Sequence, residues 1–269
     1  IAIKPLPPPA KTASRQMALV SQLRLVTFDA TNTLMTLARP VGQQYRDLLA
    51  AGGTTPAEAE VVGNSLIGAN LRGYDSHGVM RIPFYLKMLE AGDAHSGVDL
   101  TILGETPTSI VADANWGLGR VQCGRLLDGL IEKARQNGMA AGTLHNCSHI
   151  GRLGEYCEIA AAEGLVSIMM VNTHGAARRV APPGGTAPRL GTNPLAMGVP
   201  HRDEPLVLDF STSATAEGKV RVKSIAGETC PEGWLLNSEG SPTTDPNDLY
   251  TDPPGTILPM GGSQAYKGF

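Results

Sequence analysis

The chain lacks the features that would place it in several large functional classes. It has four cysteines in 269 residues, Cys123, Cys147, Cys157 and Cys230, and no CxxC pair. That excludes a disulfide-stapled scaffold and predicts reduced thiols in an intracellular, cytoplasmic protein. No apolar run reaches the roughly 18 residues that span a bilayer, so no membrane partner is expected. Net charge is −3 and no basic block stands out, so no nucleic-acid partner is expected either. There is no GxxxxGK[ST] phosphate loop. The chain starts at Ile1 without an initiator Met or a signal-peptide core, and Lys4, Lys11 and Arg15 have no early acidic neighbour. The Pro-rich stretch IAIKPLPPPAKTASRQ has no helical period, so residues 1–19 read as an unstructured tail.

What is present is a sizeable apolar fraction, 42%, cut up by 32 glycines and 20 prolines. That composition gives a real core with many turns. LRLVTF (23–28) reads as a short strand and 41–51 as a helix ended by Gly52-Gly53. Thr55-Pro56-Ala57-Glu58 is a helix start in which Thr55 caps, Pro56 takes the first turn and Glu58 completes a capping box. Val62, Leu66 and Ala69 then share a face until Gly73, and a second helix begins near Pro83 and runs to Gly92. Beyond it, strands at 108–114, 139–147 and 165–172 alternate with helices at 118–137 and 152–163, and further strands follow at 195–199 and 205–210. Alternation of this kind predicts some parallel pairing.

Several polar groupings carry candidate chemistry. GYDSHGVMR (73–81) sets Asp75, Ser76, His77 and Arg81 between two helices. His77 and Arg81, four apart, meet on one side if the segment makes a helical turn. Arg81 could then grip a carboxylate and His77 exchange a proton. The competing reading makes Asp75 and Ser76 helix caps and Arg81 merely exposed. HNCSH (145–149) extends a strand, and alternation predicts that His145, Cys147 and His149 face one way. That set could ligate zinc in a metal-dependent hydrolase, although no fourth ligand is evident. An unliganded His149 available for proton transfer is the competing reading. Gly117-x-Gly119 sits between a strand and a helix, as in a dinucleotide fingerprint. Its third glycine should fall at Gln122 but comes only at Gly124, so the glycines read as a strand-to-helix turn. APPGGTAPRLGTNP (181–194) can form a loop of exposed N–H groups, and LDFSTS (208–213) puts Asp209 at a strand end, where it could orient a His or cap the residues that follow. FDATNTL (28–34) starts like a haloacid-dehalogenase-type phosphatase, but Thr31 stands where the second acid belongs, so Asp29 is not competent for that chemistry.

Taken in order, ANLRGYDSHGVMRIPFYLKMLEAG, HNCSHIGRLGEYCEIAAAEGLVSIMMVNTHG, APPGGTAPRLGTNPLAMGVP, VLDFSTSATAEGKV and GSPTTDP resemble the malate/L-lactate dehydrogenase family that lacks a Rossmann fold. Ureidoglycolate and sulfolactate dehydrogenases and a cyclic-imine carboxylate reductase belong to that group. The likeness spans about residues 52–268, and residues 20–50 resemble the start of a dehalogenase-like hydrolase. The resemblance implies an α+β fold with a helical substrate-side part over 51–106 and a sheet-containing, NAD(P)-binding part over 107–269. In the family the chain normally continues past SQAYKGF through helices that complete the fold, so a truncated, inactive fragment is the third reading. The resemblance further implies a homodimer that oxidises small 2-hydroxy acids or reduces 2-oxo acids with NAD or NADP and needs no metal. It places Ser76, His77 and Arg81 in the substrate site, with Arg81 on the carboxylate. It makes His149 or His77 the acid/base, His149 foremost, with Asp209 as the family's acid. It puts His174, Gly184, Gly185, Thr192 and Asn193 near the cofactor.

Overall fold

A computed structural model describes residues 26–28, 34–36, 40–173 and 178–262. The capping box closes as the sequence predicts: Thr55 Oγ1 accepts from Glu58 N at 3.2 Å, and Glu58 Oε2 accepts from Thr55 N at 3.2 Å. Glu58 is only 2% exposed. Burial alone would raise its pKa, but hydrogen bonds from Ser96, Gly97 and Thr55 outweigh that and hold the carboxyl below its usual value. The box therefore ties the helix start to the 94–97 turn.

The chain divides into two units, Ile1–Ser167 with Gly198–Leu206, and Ile168–Met197 with Val207–Phe269. In the first, α1 (Val41–Ala51), α2 (Pro56–Leu71), α3 (Ile82–Ala91) and the start of α4 (Gly119–Asn137) enclose one core. Its members include Leu49, Val62, Leu66, Ile82, Tyr85, Leu118 and Val121. Leu66 is fully buried, so Leu66→Ala would cost about 2–5 kcal/mol. Short strands β1 (Val26–Phe28) and β2 (Leu34–Thr36) pair antiparallel ahead of α1. Strands β3 (Thr101–Thr106), β4 (Ser109–Asp113) and β5 (Ala141–His145) form a sheet in that order. β3 runs antiparallel to β4, and β4 runs parallel to β5 in the register Ser109↔Ala141 to Asp113↔His145. The parallel pair with α4 as its crossover is the expected alternation. Ile110 and Ala112, the inward residues of β4, pack against Leu126 of α4. Helix α5 (Gly154–Ala162) follows β5.

In the second unit, β6 (Ser167–Met170), β7 (Leu195–Val199) and β8 (Leu206–Phe210) lie side by side in that order. Ile168, Met170, Leu206 and Leu208 leave more than half of their surface exposed. A second core of Val180, Val220, Cys230, Leu235, Leu249 and Ile257 joins α6 (Glu217–Ala226) to three two-residue strands, β9 (Leu235–Leu236), β10 (Pro242–Thr243) and β11 (Thr256–Ile257). The architecture is α+β. All four cysteines are free thiols. No described helix is long and apolar enough to cross a membrane.

Candidate active site

The 73–81 segment does not form the single helical turn that the His77–Arg81 spacing suggests. Helix α2 stops at Leu71, Gly73 turns the chain at φ +76°, and two separate 3-10 turns follow, Asp75–His77 and Val79–Arg81. They are separated because Asn70 reaches in between: its Nδ2 donates to Asp75 Oδ1 at 2.6 Å and its Oδ1 accepts from Val79 N at 2.9 Å. A Cβ at Gly78 would lie 2.2 Å from Asn70 Oδ1, so a side chain at the joint would push Asn70 out of both bonds. Asp75 thus holds the loop. Arg81 comes to the site by folding back, with Nε donating to the Ser76 carbonyl at 2.6 Å and its guanidinium 5.7 Å from the Phe84 ring centroid. Ser76 Oγ lies 2.9 Å from His77 Nδ1 and orients that ring.

The HNCSH segment also departs from expectation. Strand β5 ends at His145, and Asn146 takes a left-handed φ of +44°. Strand alternation therefore stops before Cys147, and the shared face proposed for His145, Cys147 and His149 does not form. Among the described residues no three His, Cys, Asp or Glu side chains converge as a metal site. Burial pushes the Cys147 thiol up to about 12. What the turn achieves is a close docking on the start of α4. Ser148 Oγ accepts from Gly119 N at 2.8 Å and donates to the Gly117 carbonyl at 2.9 Å. A Cβ at Gly119 would fall 2.2 Å from the Ser148 carbonyl oxygen. Gly119 thus makes room for a protein loop, and that loop caps the helix N-terminus, while a Cβ at Gly117 would meet the Gln122 and Val98 side chains.

His149, carried by this loop, meets His77 ring to ring, centroids 5.5 Å apart and 26° from parallel. Tyr85 Oη lies 2.8 Å from His149 Nδ1, and Phe84 stands edge-on at 6.3 Å. Beneath the rings is a buried polar network that the sequence reading missed. Arg120, 3% exposed, donates from Nε to Tyr85 Oη at 2.8 Å, from NH2 to the His77 carbonyl at 2.6 Å, and from NH1 to Ser65 Oγ. Ser65 donates on to Glu155, whose Oε2 is 3.7 Å from Arg120 NH1. Arg152 clasps Glu158 through two bonds, 2.8 and 2.6 Å, and Arg72 adds a third at 2.7 Å. Only one signal for Arg120 was present in the sequence: a cation in the first turn of a helix, where the backbone dipole disfavours it.

These surroundings set the proton chemistry. Burial first, then the charges of Arg81, Arg120 and Arg152, lower the His77 pKa to about 4. His149 is held well below its ordinary value by burial, then by Arg81, His77 and Arg120. Both rings are neutral at pH 7, and the Arg81 charge acts on both. The structure thus brings together Ser76, His77, Arg81 and His149, all within the first unit.

The remaining candidates belong to the second unit. Asp209 is half-buried in β8. Gly184 sits at φ +76° in a turn closed by Gly185 N donating to the Pro182 carbonyl at 2.8 Å. Thr212 Oγ1 donates to the Asn193 carbonyl at 2.9 Å, and Thr212 N to that of Thr192 at 3.0 Å, which pins the 192–193 backbone. Asn193 itself has φ +39°, and its Oδ1 is buried without a hydrogen-bond partner among the described residues. His174 lies outside the described residues, as does Asp29.

The sequence profile of the malate/L-lactate dehydrogenase family matches residues 40–269. That match takes in α1, which the dehalogenase-like likeness would claim; the likeness draws no support from these comparisons. The chain is 35% identical over 221 residues to the L-sulfolactate dehydrogenase of Methanothermobacter thermautotrophicus, covering 82% of this chain and 63% of that one. It is 39% identical over 215 residues to the hydroxycarboxylate dehydrogenase B of Escherichia coli K12, covering 80% and 59%. Among solved structures, the malate dehydrogenase of Entamoeba histolytica superposes with a TM-score of 0.79 at 32% identity, covering 85% of this chain and 64% of that one. The delta1-piperideine-2-carboxylate reductase of Pseudomonas syringae gives 0.78 at 31%, covering 85% and 68%. The chain spans about three-fifths of the length of the curated relatives it matches.

Proposed function

Because this chain belongs to the malate/L-lactate dehydrogenase family, we propose that it moves a hydride between a nicotinamide cofactor, NAD or NADP, and C2 of a small 2-hydroxy or 2-oxo acid. The observation that carries this is the meeting of two neutral imidazoles with the Arg81 charge, all buried or half-buried. Oxidising a secondary alcohol removes a hydride from carbon and a proton from oxygen, so the site needs a neutral base at that oxygen. His149 is that base. Arg81 holds the carboxylate and fixes which face of C2 is presented. His77 and Ser76 bound the pocket for the acid. Relatives named for malate, sulfolactate and a cyclic imine carboxylate all act on small carboxylates, which is the class an arginine clamp selects.

The second unit fits a nicotinamide cofactor on its own observation. The Asn193 amide oxygen is buried with no hydrogen-bond donor among the described residues, a costly state that a carboxamide N–H or ribose hydroxyl would relieve. Gly184, Gly185 and Thr192 lie on the loop that would pass its phosphates, and His174 and Asp209 complete the proposed set. When bound, the nicotinamide supplies the hydride acceptor or donor. Everything else is done by side chains of this chain.

A panel of 2-oxo acids assayed with both reduced nicotinamides tests the proposal. At least one acid should be turned over. Arg81→Ala should raise its KM on the order of 10²-fold, the loss of a charge-assisted clamp, with cofactor affinity unchanged. Equal weakening of acid and cofactor would remove the clamp role. His149→Gln should abolish turnover while the nicotinamide still binds. Absence of both turnover and cofactor binding in the unsubstituted chain would overturn the whole reading.

A further inference from the structure

Arg120 pays an electrostatic cost to sit in the first turn of α4, so its bonds repay attention. Its guanidinium lies against Gly151, two residues past His149: a Cβ at Gly151, which has φ +87°, would fall 2.7 Å from Arg120 Cζ. It therefore touches both histidine-bearing segments, through the His77 carbonyl and through Tyr85. A guanidinium can only donate hydrogen bonds. Among the described residues Tyr85 Oη has two partners, Arg120 Nε and His149 Nδ1. With the arginine occupying an oxygen lone pair, the buried phenol hydrogen has His149 Nδ1 as its acceptor, and any other orientation leaves it unsatisfied at a cost of about 1–3 kcal/mol.

We propose that Arg120 is a positioning residue: by donating to Tyr85 Oη it turns the phenol hydrogen onto His149 Nδ1, and so fixes the neutral imidazole with its own hydrogen on Nε2. The catalytic consequence rests on the hydride-transfer reading above; the tautomer does not. In reduction, a hydride adds to C2 and the carbonyl electron pair moves to oxygen. That oxygen takes the Nε2 proton, and Nδ1 takes the Tyr85 proton. The phenolate left behind faces the Arg120 cation at 2.8 Å and recovers a proton from solvent after product leaves. Oxidation runs the same steps backwards. It starts from the Tyr85 phenolate with the His149 hydrogen on Nδ1, the form in which Nε2 can act as the base. Because burial raises the Tyr85 pKa, that form is the scarcer one at pH 7. A relay of this kind suits a ring that its surroundings keep from becoming a cation: it gives a proton at one nitrogen while taking one at the other.

Nitrogen-15 spectra of the histidine side chains in the full chain test this at pH 7, with His149 assigned by through-bond correlation to its own backbone. The expected signature is an unprotonated Nδ1 and a protonated Nε2. Tyr85→Phe, which keeps the ring packing, should convert His149 to a mixture of tautomers. It should also lower kcat on the order of 10²-fold with KM unchanged. Arg120→Lys keeps a charge for Glu155 but loses the planar fork, and should give the same mixed signature. A protonated Nδ1 in the unsubstituted chain, or a tautomer indifferent to Tyr85→Phe, overturns the proposal. Since the spectra need no substrate, the tautomer and the enzymatic activity fail separately.

Discussion

His77 keeps its ring uncharged to about pH 4 in the folded chain, whereas the same ring in the unfolded chain takes a proton near its ordinary value. Between those limits the unfolded state binds more protons. The stabilisation is therefore complete above about pH 6.5 and is lost as pH falls toward 4. For His77 it amounts to something on the order of 3 kcal/mol, and His149 adds in the same direction. Urea midpoints taken at pH 7 and at pH 4.5 should show the loss, and His77→Gln should flatten it; an unchanged slope in that variant would refute the assignment. His77, Arg81 and His149 stood out by residue type, but each kept a competing reading until the family resemblance put them in one site. Tyr85 and Arg120 did not stand out. A tyrosine on an apolar helix face and an arginine after a glycine look ordinary until burial is known, and a single sequence carries no burial.

Element boundaries were more legible than the reasons for them. Thr55-Pro56-Ala57-Glu58 announced its capping box through local chemistry alone, and Thr55→Ala should cost about 1 kcal/mol in a urea titration. Gly119 is the opposite case. Its position between strand and helix was plain, but what it serves is a loop some 30 residues away. Gly119→Ala should destabilise the fold by about 1–3 kcal/mol, because the obstructing atom is the Ser148 backbone oxygen, which has little freedom to move. It should also slow turnover by displacing His149. Gly124, further along the same helix, has nothing within 4 Å of its missing Cβ. Gly124→Ala should therefore raise stability by about 0.5–1 kcal/mol. Opposite shifts in urea midpoint for two alanines in one helix would separate packing from propensity; shifts of the same sign would not fit. The strand alternation assumed through Cys147 failed for a similar reason. Where β5 stops is decided by Asn146 and the docking of Ser148, and neither leaves a periodic mark.

At the level of the whole molecule, the substrate-side candidates and the cofactor-side candidates fall into different units. The proposed roles then predict a clean division in binding. Asn193→Ala should weaken nicotinamide binding, read by fluorescence titration, by about 10-fold, the loss of one well-made hydrogen bond, and leave the KM for the acid unchanged. Arg81→Ala should do the reverse. Crossed effects of equal size would show that the roles are not divided this way. The α+β class was implied by the family resemblance, whereas the order of elements could be read from the alternation of apolar runs with glycine stops. The two-unit division could not, because the chain leaves the first unit after Ser167 and returns to it at Gly198–Leu206 without a compositional break.

The face-to-face histidines have one more consequence. A charge on His77 makes His149, 5.5 Å away, harder to ionise, so the two rings do not titrate independently. With both rings uncharged at pH 7, a guest with two negative charges gains nothing from them over a guest with one, and under the proposed roles the sorting of such guests falls to the fixed arginines.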